Sequence, residues 1–124
     1  MTTCYCGSDS SFENCCQPYI KGFAKAPTAE ALMRSRYSAY ATQNADYLVA
    51  TTHISTRKFH KKSDILDWSK SNQWIKLEVL STTGTTVTFK AYYLDYQLKA
   101  QIHHEHSNFI FENDCWFYVD GNHN

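Results

Sequence analysis

Four of the five cysteines lie within thirteen residues near the start of the chain, in the segment CYCGSDSSFENCC. A disulfide between the adjacent Cys15 and Cys16 would be strained, as would one between Cys4 and Cys6, because relaxed disulfides hold their Cα atoms about 5.5 Å apart. A crossed pairing such as Cys4 with Cys15 stays open. The remaining uses of clustered thiols are metal binding and redox chemistry.

Zinc suits this cluster because Zn²⁺ takes four thiolate ligands in a tetrahedron, at about 2.3 Å from each sulfur. The residues between the two cysteine pairs, GSDS at 7–10, favour a turn that brings all four sulfurs to one point. The spacing C-x-C-x8-C-C matches neither ferredoxin pattern for an iron–sulfur cluster. The segment therefore predicts a structural zinc site, which is closed and leaves no position for a water or a substrate.

The same residues resemble a known motif. C-x-C-G-S followed by C-C is similar to the SEC-C motif, a small zinc knuckle found at the C-terminus of the SecA translocation motor and at the ends of many bacterial proteins. The motif usually has Pro between its first two cysteines and Gly-Lys-Lys-Tyr in the middle, whereas this chain has Tyr5 and the residues DSSF at 9–12. The resemblance implies a knuckle that docks on a protein partner and four zinc ligands: Cys4, Cys6, Cys15 and Cys16.

Composition predicts one globular core with the knuckle as an appendage. The chain has 124 residues, of which 43% are hydrophobic and 15% aromatic. Twelve basic and twelve acidic residues cancel, so the totals indicate no nucleic acid or anionic membrane partner. No apolar run approaches the roughly 20 residues that span a bilayer. The start of the chain lacks the pattern of a secretory leader, so we expect a cytoplasmic protein with reduced thiols.

After the loop QPYIKGFAKAP the pattern becomes helical. Thr28 is a suitable N-cap, and an apolar stripe follows at three- and four-residue steps. Arg36 falls on this stripe, where a guanidinium must either reach solvent along its stem or meet a carboxylate. Both interpretations stay open. The residues that form the apolar stripe are Ala29, Leu32, Met33, Tyr37 and Tyr40.

The rest of the chain predicts two shorter helices and then four strands. The helices run from Asn44 toward His53 and from Ser63 to Trp68. Beyond Gln73 the hydrophobic period changes to two, and turns are predicted at 82–84 and 113–114. Helices followed by an antiparallel meander indicate an α+β fold, with helices packed on one face of a curved antiparallel sheet. The predicted strands cover residues 75–79, 87–93, 99–111 and 115–119.

Two blocks resemble the middle domain of the YchJ family. They are TAEALMRSRYSAY at 28–40 and HHEHSNFIFENDCWFYVDG at 103–121, in order behind a SEC-C knuckle. The resemblance implies the cone-shaped fold of nuclear transport factor and ketosteroid isomerase. It divides the chain into a knuckle at 1–20, a linker at 21–27 and a cone domain at 28–124. It implies no activity, because this cone carries enzymes and binding modules alike.

The densest group of titratable residues is HHEH at 103–106. On a strand, His104 and His106 face one side, while His103 and Glu105 face the other. Glu105 is the expected partner of Arg36, in a pair that either seats the polar group of a ligand or neutralises itself in the core. A metal site at His104 and His106 would need a third ligand such as His53 or His60, and the sequence spacing gives no support for either.

We interpret the protein as a binding or adaptor module that uses its knuckle for a protein partner and its cone for a small ligand. The alternative is an enzyme with His104 as general base, Tyr37 or Tyr40 as hydrogen-bond donor to an oxyanion, and the pair of Arg36 and Glu105 as orienter. The fifth cysteine, Cys115, is expected to be a small buried residue, with a reactive thiol as the alternative. Dimerisation through the open sheet face fits the fold. The ligand-pocket candidates are Arg36, Tyr37, Tyr40, His104 and Glu105.

Overall fold

The computed structural model describes residues 3–123. A 3₁₀ turn at Phe12–Asn14 lies between the two cysteine pairs. The helices are α1 Gln17–Ile20, α2 Ala29–Ala41, α3 Ala45–Ala50, α4 Ile54–Arg57 and α5 Lys62–Ser71. The strands are β1 Gln73–Thr82, β2 Thr86–Leu94, β3 Ala100–Glu112 and β4 Cys115–His123.

The long helix α2 follows the prediction. Its N-cap is Thr28, whose Oγ1 accepts a hydrogen bond of 3.0 Å from the backbone N–H of Ala31. The next predicted helix is interrupted. It ends at Ala50 because Thr52 pairs with Tyr118 of β4, and this contact with a distant strand outweighs the local preference for helix.

Four strands form one antiparallel sheet in the order β1-β2-β3-β4, so the predicted α+β meander is confirmed. Bulges interrupt β1 near Ile75 and Leu80 and the β3–β4 pair after Asn108, and bulges of this kind bend the strands that carry them. Asn113 and Asp114 have φ of 54° and 63°, the left-handed values of a tight two-residue hairpin turn.

The knuckle belongs to the same core as the cone. Cys4, Cys6 and Cys16 are 3%, 0% and 1% exposed, and they lie in one apolar cluster with residues of α2 and of the sheet, such as Leu32 and Phe89. The knuckle is therefore packed into the domain and does not stand apart from it as an appendage. No helix in the described range 3–123 has both the length and the apolarity that crossing a bilayer requires.

Candidate functional site

The four knuckle cysteines converge on one point. Their sulfurs all lie within 4.8 Å of one another. The Sγ atoms of Cys6 and Cys15 are 3.7 Å apart, and those of Cys15 and Cys16 are 3.9 Å apart. A zinc ion with four sulfur ligands at about 2.3 Å spaces those sulfurs about 3.8 Å apart. The donor set and its spacing thus fit a tetrahedral metal ion, and the four cysteines are free thiols without disulfides.

Electrostatics also favour a cation in this cluster. A hydrogen bond from the Cys16 thiol lowers the pKa of Cys6 to about 4, against the opposing effect of burial. The pKa of Cys16 is raised, because its thiol is the donor in that bond and because it is buried. Four sulfurs at these distances can all carry negative charge only when a cation lies among them. The residues present therefore fit a metal ion that binds thiolates.

Helix α2 holds the knuckle in place. The Arg34 Nη1 donates to the carbonyl oxygen of Cys6 at 2.8 Å, and its Nε binds Glu30 at 2.9 Å. The Oγ of Ser38 lies 3.6 Å from the Sγ of Cys4. The turn itself needs Gly7, whose φ is +92°. Contacts from one helix thus fix both ends of the first cysteine pair.

A cavity of about 210 Å³ opens on the other side of α2, between this helix, α5 and the inner face of the sheet. Aromatic rings form most of its wall, and Trp74 contacts Trp68, Tyr93 and Tyr40 with ring centroids 5.2 to 5.8 Å apart. The lining residues are Met33, Arg36, Tyr37, Tyr40, His60, Trp68, Trp74, Phe89, Ala91, His103, Glu105, Ser107 and Tyr118.

A buried carboxylate lies in the wall of this cavity. Glu105 is 7% exposed and accepts three hydrogen bonds, from His103 Nε2 at 2.8 Å, Ser107 Oγ at 2.5 Å and Tyr118 Oη at 3.1 Å. Burial alone would raise the pKa of Glu105, but the bonds from His103 and Ser107 outweigh it and lower the pKa to about 2. The group is therefore ionised at neutral pH, and Nε2 of His103 carries the proton that it donates.

A buried cation lies in the same wall. Arg36 is 6% exposed, and its Nη1 donates to Leu48 O at 2.9 Å and to Thr51 Oγ1 at 2.7 Å. Its guanidinium carbon lies 4.5 Å from the centre of the Tyr118 ring, a cation–π contact. Burial, and after it the nearby Arg36 charge, lowers the pKa of His60, so this ring is neutral at pH 7. Among the described residues, the hydrogen bonds of Arg36 go to carbonyl and hydroxyl oxygens, and all of them come from Nη1.

The predicted ion pair of Arg36 with Glu105 is wrong as a direct contact. Both residues line the cavity, but within residues 3–123 no ion pair joins them. Tyr118 stands between them, with its ring against Arg36 and its hydroxyl on Glu105. Burial chiefly raises the pKa of Tyr118, and the Glu105 charge adds to this effect, so the phenol keeps its proton.

His104 is absent from the cavity, and its predicted role as general base there is wrong. It pairs with Lys90 on the outer face of the sheet, whereas Glu105 pairs with Phe89 on the inner face. Adjacent strand residues point to opposite faces, so His104 and Glu105 cannot share one cavity. The histidine that binds Glu105 is His103. Tyr37 and Tyr40 line the cavity as predicted, and burial raises the pKa of both phenols.

No metal site forms around the outer histidines in the described part of the chain. The Nδ1 of His106 lies 2.7 Å from Thr88 Oγ1 on the outer face, while His60 lies in the cavity and His53 binds Glu112 at 3.1 Å. The cysteine cluster is the one group of three or more potential metal ligands among the described side chains.

Other candidates lie outside both sites. Cys115 is half-buried at the start of β4, so the expectation of a small buried residue is wrong. Sequence reasoning missed Tyr118, which belongs to the aromatic run WFY at 116–118. It also missed Trp68 and Trp74 as cavity walls. Alternation along β3 already placed His103 on the face of Glu105, and that signal was sufficient to prefer it over His104.

Gly121 offers a test of the carboxylate's position. A Cβ built there would lie 2.5 Å from Cδ of Glu105 and closer still to its Oε2. Gly121→Ala is therefore expected to push the carboxylate off Ser107 and Tyr118 and to lower the free energy of unfolding by about 2 kcal/mol, measured by urea denaturation. Gly84→Ala is the control, because nothing lies within 4 Å of a Cβ at Gly84. Equal stability of the two variants would contradict this placement of Glu105.

Comparisons with known proteins agree with this geometry. A protein-family model described as the YchJ middle NTF2-like domain matches residues 28–121. A UPF0225 protein of Photorhabdus laumondii is 39% identical over 125 residues, which cover 95% of this chain and 79% of that protein. The solution structure of a SEC-C motif protein from Rhodopseudomonas palustris is similar with a TM-score of 0.90 and 34% identity, over 98% of both chains. A crystal structure of a SEC-C motif protein from Psychrobacter arcticus gives a TM-score of 0.80 and 29% identity, over 97% of this chain and 81% of the other.

Proposed function

This chain belongs to the YchJ family of bacterial proteins, and on that basis we propose that it is a small-molecule binding module stabilised by zinc. Zn²⁺ on Cys4, Cys6, Cys15 and Cys16 fixes the N-terminal segment to α2. A reducing compartment, the cytoplasm, keeps these thiols available to the metal. Four protein ligands leave no open position on the ion, so its role is structural.

The observation that carries the proposal is the cavity beside α2. Two buried, oppositely charged groups, Arg36 and Glu105, line it together with several aromatic rings. Small-molecule sites combine a mostly apolar wall with a few well-placed polar groups in this way. Its volume of about 210 Å³ is below the roughly 300 Å³ at which pockets for drug-sized ligands begin. We therefore expect a ligand of one or two rings.

A fragment screen by NMR tests this function. The three tryptophans give separate indole N–H signals: Trp68 and Trp74 line the cavity, while Trp116 lies outside it and donates to Pro27 O at 3.3 Å. Fragments that bind in the cavity are expected to shift the first two signals and to leave the third unchanged. Ala91→Leu, which fills part of the cavity, should abolish these shifts. A library of neutral, acidic and basic fragments without a cavity hit would overturn the proposal.

An acid–base enzyme is the second candidate function, and the contact between His103 and Glu105 favours it. A carboxylate that binds one nitrogen of a histidine fixes the orientation of the ring, as catalytic histidines require. The same screen separates the two functions, because a binding module returns its fragments unchanged. Chemical conversion of a fragment that His103→Gln no longer converts would favour the enzyme.

A protein partner at the knuckle is also part of the proposal. The outer side of the knuckle presents Tyr5, which is 50% exposed, and the linker after the knuckle presents Phe23, which is 82% exposed. Exposed aromatic side chains are enriched at the centres of protein interfaces. Dimerisation through the outer face of the sheet stays a prediction.

A further inference from the structure

The guanidinium of Arg36 is only partly used by the protein. Three acceptors lie within reach of Nη1, namely Leu48 O at 2.9 Å, Thr51 Oγ1 at 2.7 Å and Thr52 Oγ1 at 3.4 Å. These bonds attach Arg36 to the end of α3 and fix the direction of its side chain. The other edge of the guanidinium, formed by Nε and Nη2, donates to no residue in the described range 3–123.

This unused edge opens to the cavity. Among the described residues, no fully buried side-chain nitrogen or oxygen lacks a hydrogen-bond partner. The free donors of Arg36 therefore keep accessible surface, although the side chain as a whole is 6% exposed. Arg36 is one of the residues that line the cavity, so the cavity is the space that an acceptor for these donors would occupy. A mostly buried cation with free N–H donors beside a cavity favours a ligand that brings an acceptor there.

The buried anion of the cavity, Glu105, differs from Arg36 in its hydrogen bonds. Glu105 receives three hydrogen bonds, from His103, Ser107 and Tyr118, so its carboxylate oxygens already have donors inside the protein. Arg36 thus has free donors, whereas the acceptor oxygens of Glu105 are occupied. A ligand is thus recognised through an acceptor that meets Arg36 and not through a donor that meets Glu105.

The shape of the cavity restricts the rest of the ligand. Trp68 and Trp74 lie with ring centroids 5.8 Å apart, and Phe89 lies 6.1 Å from the His103 ring. Flat apolar walls favour a planar body, which stacks on them or meets them edge to face. A single guanidinium balances one negative charge, so an acid with two charges would leave one of them uncompensated.

We propose that the cavity binds a small aromatic monocarboxylic acid, with its carboxylate in a two-point contact to Nε and Nη2 of Arg36 and its ring among Trp68, Trp74 and Phe89. This inference rests on the proposed binding function and names the class of ligand. Paired N–H donors on one edge of a guanidinium match the two oxygens of a carboxylate. Hydrogen bonds of this charged kind are roughly twice as strong as neutral ones, and they distinguish the acid from its amide.

The test compares three probes that share the 2-naphthyl ring: 2-naphthoate, 2-naphthamide and 2-naphthylmethylamine. Affinities come from titrations followed by the indole signals of Trp68 and Trp74. The acid is expected to bind about tenfold or more tighter than the amide, and the amine to bind weakest. Arg36→Lys keeps a positive charge but loses the two-point edge, so it should reduce the preference for the acid severalfold. Lys90→Gln, which removes a positive charge from the outer face of the sheet, should leave it unchanged.

The outcomes separate the two proposals. Equal binding of amide and acid, or tighter binding of the amine, would overturn the aromatic-acid inference and leave the binding function standing. Absence of any shift at Trp68 and Trp74 with all three probes would overturn the inference, and the mixed fragment library would then decide on the binding function separately. Because the probe comparison uses the unaltered protein, the result does not depend on whether the Arg36 variant folds.

Discussion

Replacing Cys15 by serine is expected to abolish zinc binding and to lower the unfolding temperature by about 10 to 20 °C. When the free metal concentration is a thousand times the dissociation constant, metal binding contributes about 4 kcal/mol to the stability of the folded state. Cys15 is the most exposed of the four cysteines, so its substitution removes a ligand with the least disturbance of the core. Elemental analysis gives the zinc content, and thermal unfolding gives the loss of stability.

Cys115→Ser is the matched control. Cys115 is also half-buried, but it lies at the start of β4, outside the cluster. This variant should keep one zinc per chain and the unfolding temperature of the wild type. Purified wild-type protein without bound metal would contradict the zinc assignment, as would a Cys15→Ser variant that retains the metal. Metal-free wild type would leave redox chemistry as the use of these thiols.

Glu105→Gln is expected to cost about 3 kcal/mol at pH 7, with the cost declining to zero in acid. The pKa of Glu105 is lowered from an ordinary 4.5 to about 2, and each unit corresponds to about 1.4 kcal/mol. The folded state thus binds its proton more weakly than the unfolded state does. The carboxylate therefore adds its full stability above about pH 5, and this stability is lost as the pH falls toward 2.

Urea unfolding of both proteins between pH 7 and pH 3 measures this difference. Acid also protonates the zinc-binding thiolates, but that effect is common to both proteins and cancels in the comparison. Glu78→Gln is the control, since the Glu78 carboxylate is exposed and accepts one hydrogen bond, from Tyr92, at 2.9 Å. A stability difference between wild type and Glu105→Gln that is constant with pH would contradict the lowered pKa.

Features that depend on neighbouring residues could be predicted from the sequence. The cap at Thr28, the turn at Asn113 and Asp114 and the cysteine cluster are each specified by a few adjacent residues, and the structure contains all three. Helices α1 and α4 have four residues each, too few for a 3.6-residue period to show. The break at Thr52 arises from pairing with Tyr118, sixty-six positions later, which no local pattern contains.

The cavity, too, could be predicted from local sequence patterns only in part. Alternation along β3 divides HHEH into two faces, and it also shows that His104 and Glu105 cannot work together. Burial of Arg36 could be predicted from its place on an apolar stripe, but its partners could not. They are oxygens at the end of α3 and the ring of Tyr118, which tertiary packing brings to it.

Helix α2 is buried over five consecutive residues, Ser35–Ala39, which together point in every direction around the helix axis. Ser38 contacts the knuckle, Arg36 the end of α3, and Tyr37 the ring of Trp74 at 6.1 Å. An ordinary surface helix has a free side on which residues can be exchanged during evolution. This turn has no free side, so each exchange needs a matching change in a separate part of the fold. We therefore expect the sequences of the family to diverge mainly outside residues 35–39.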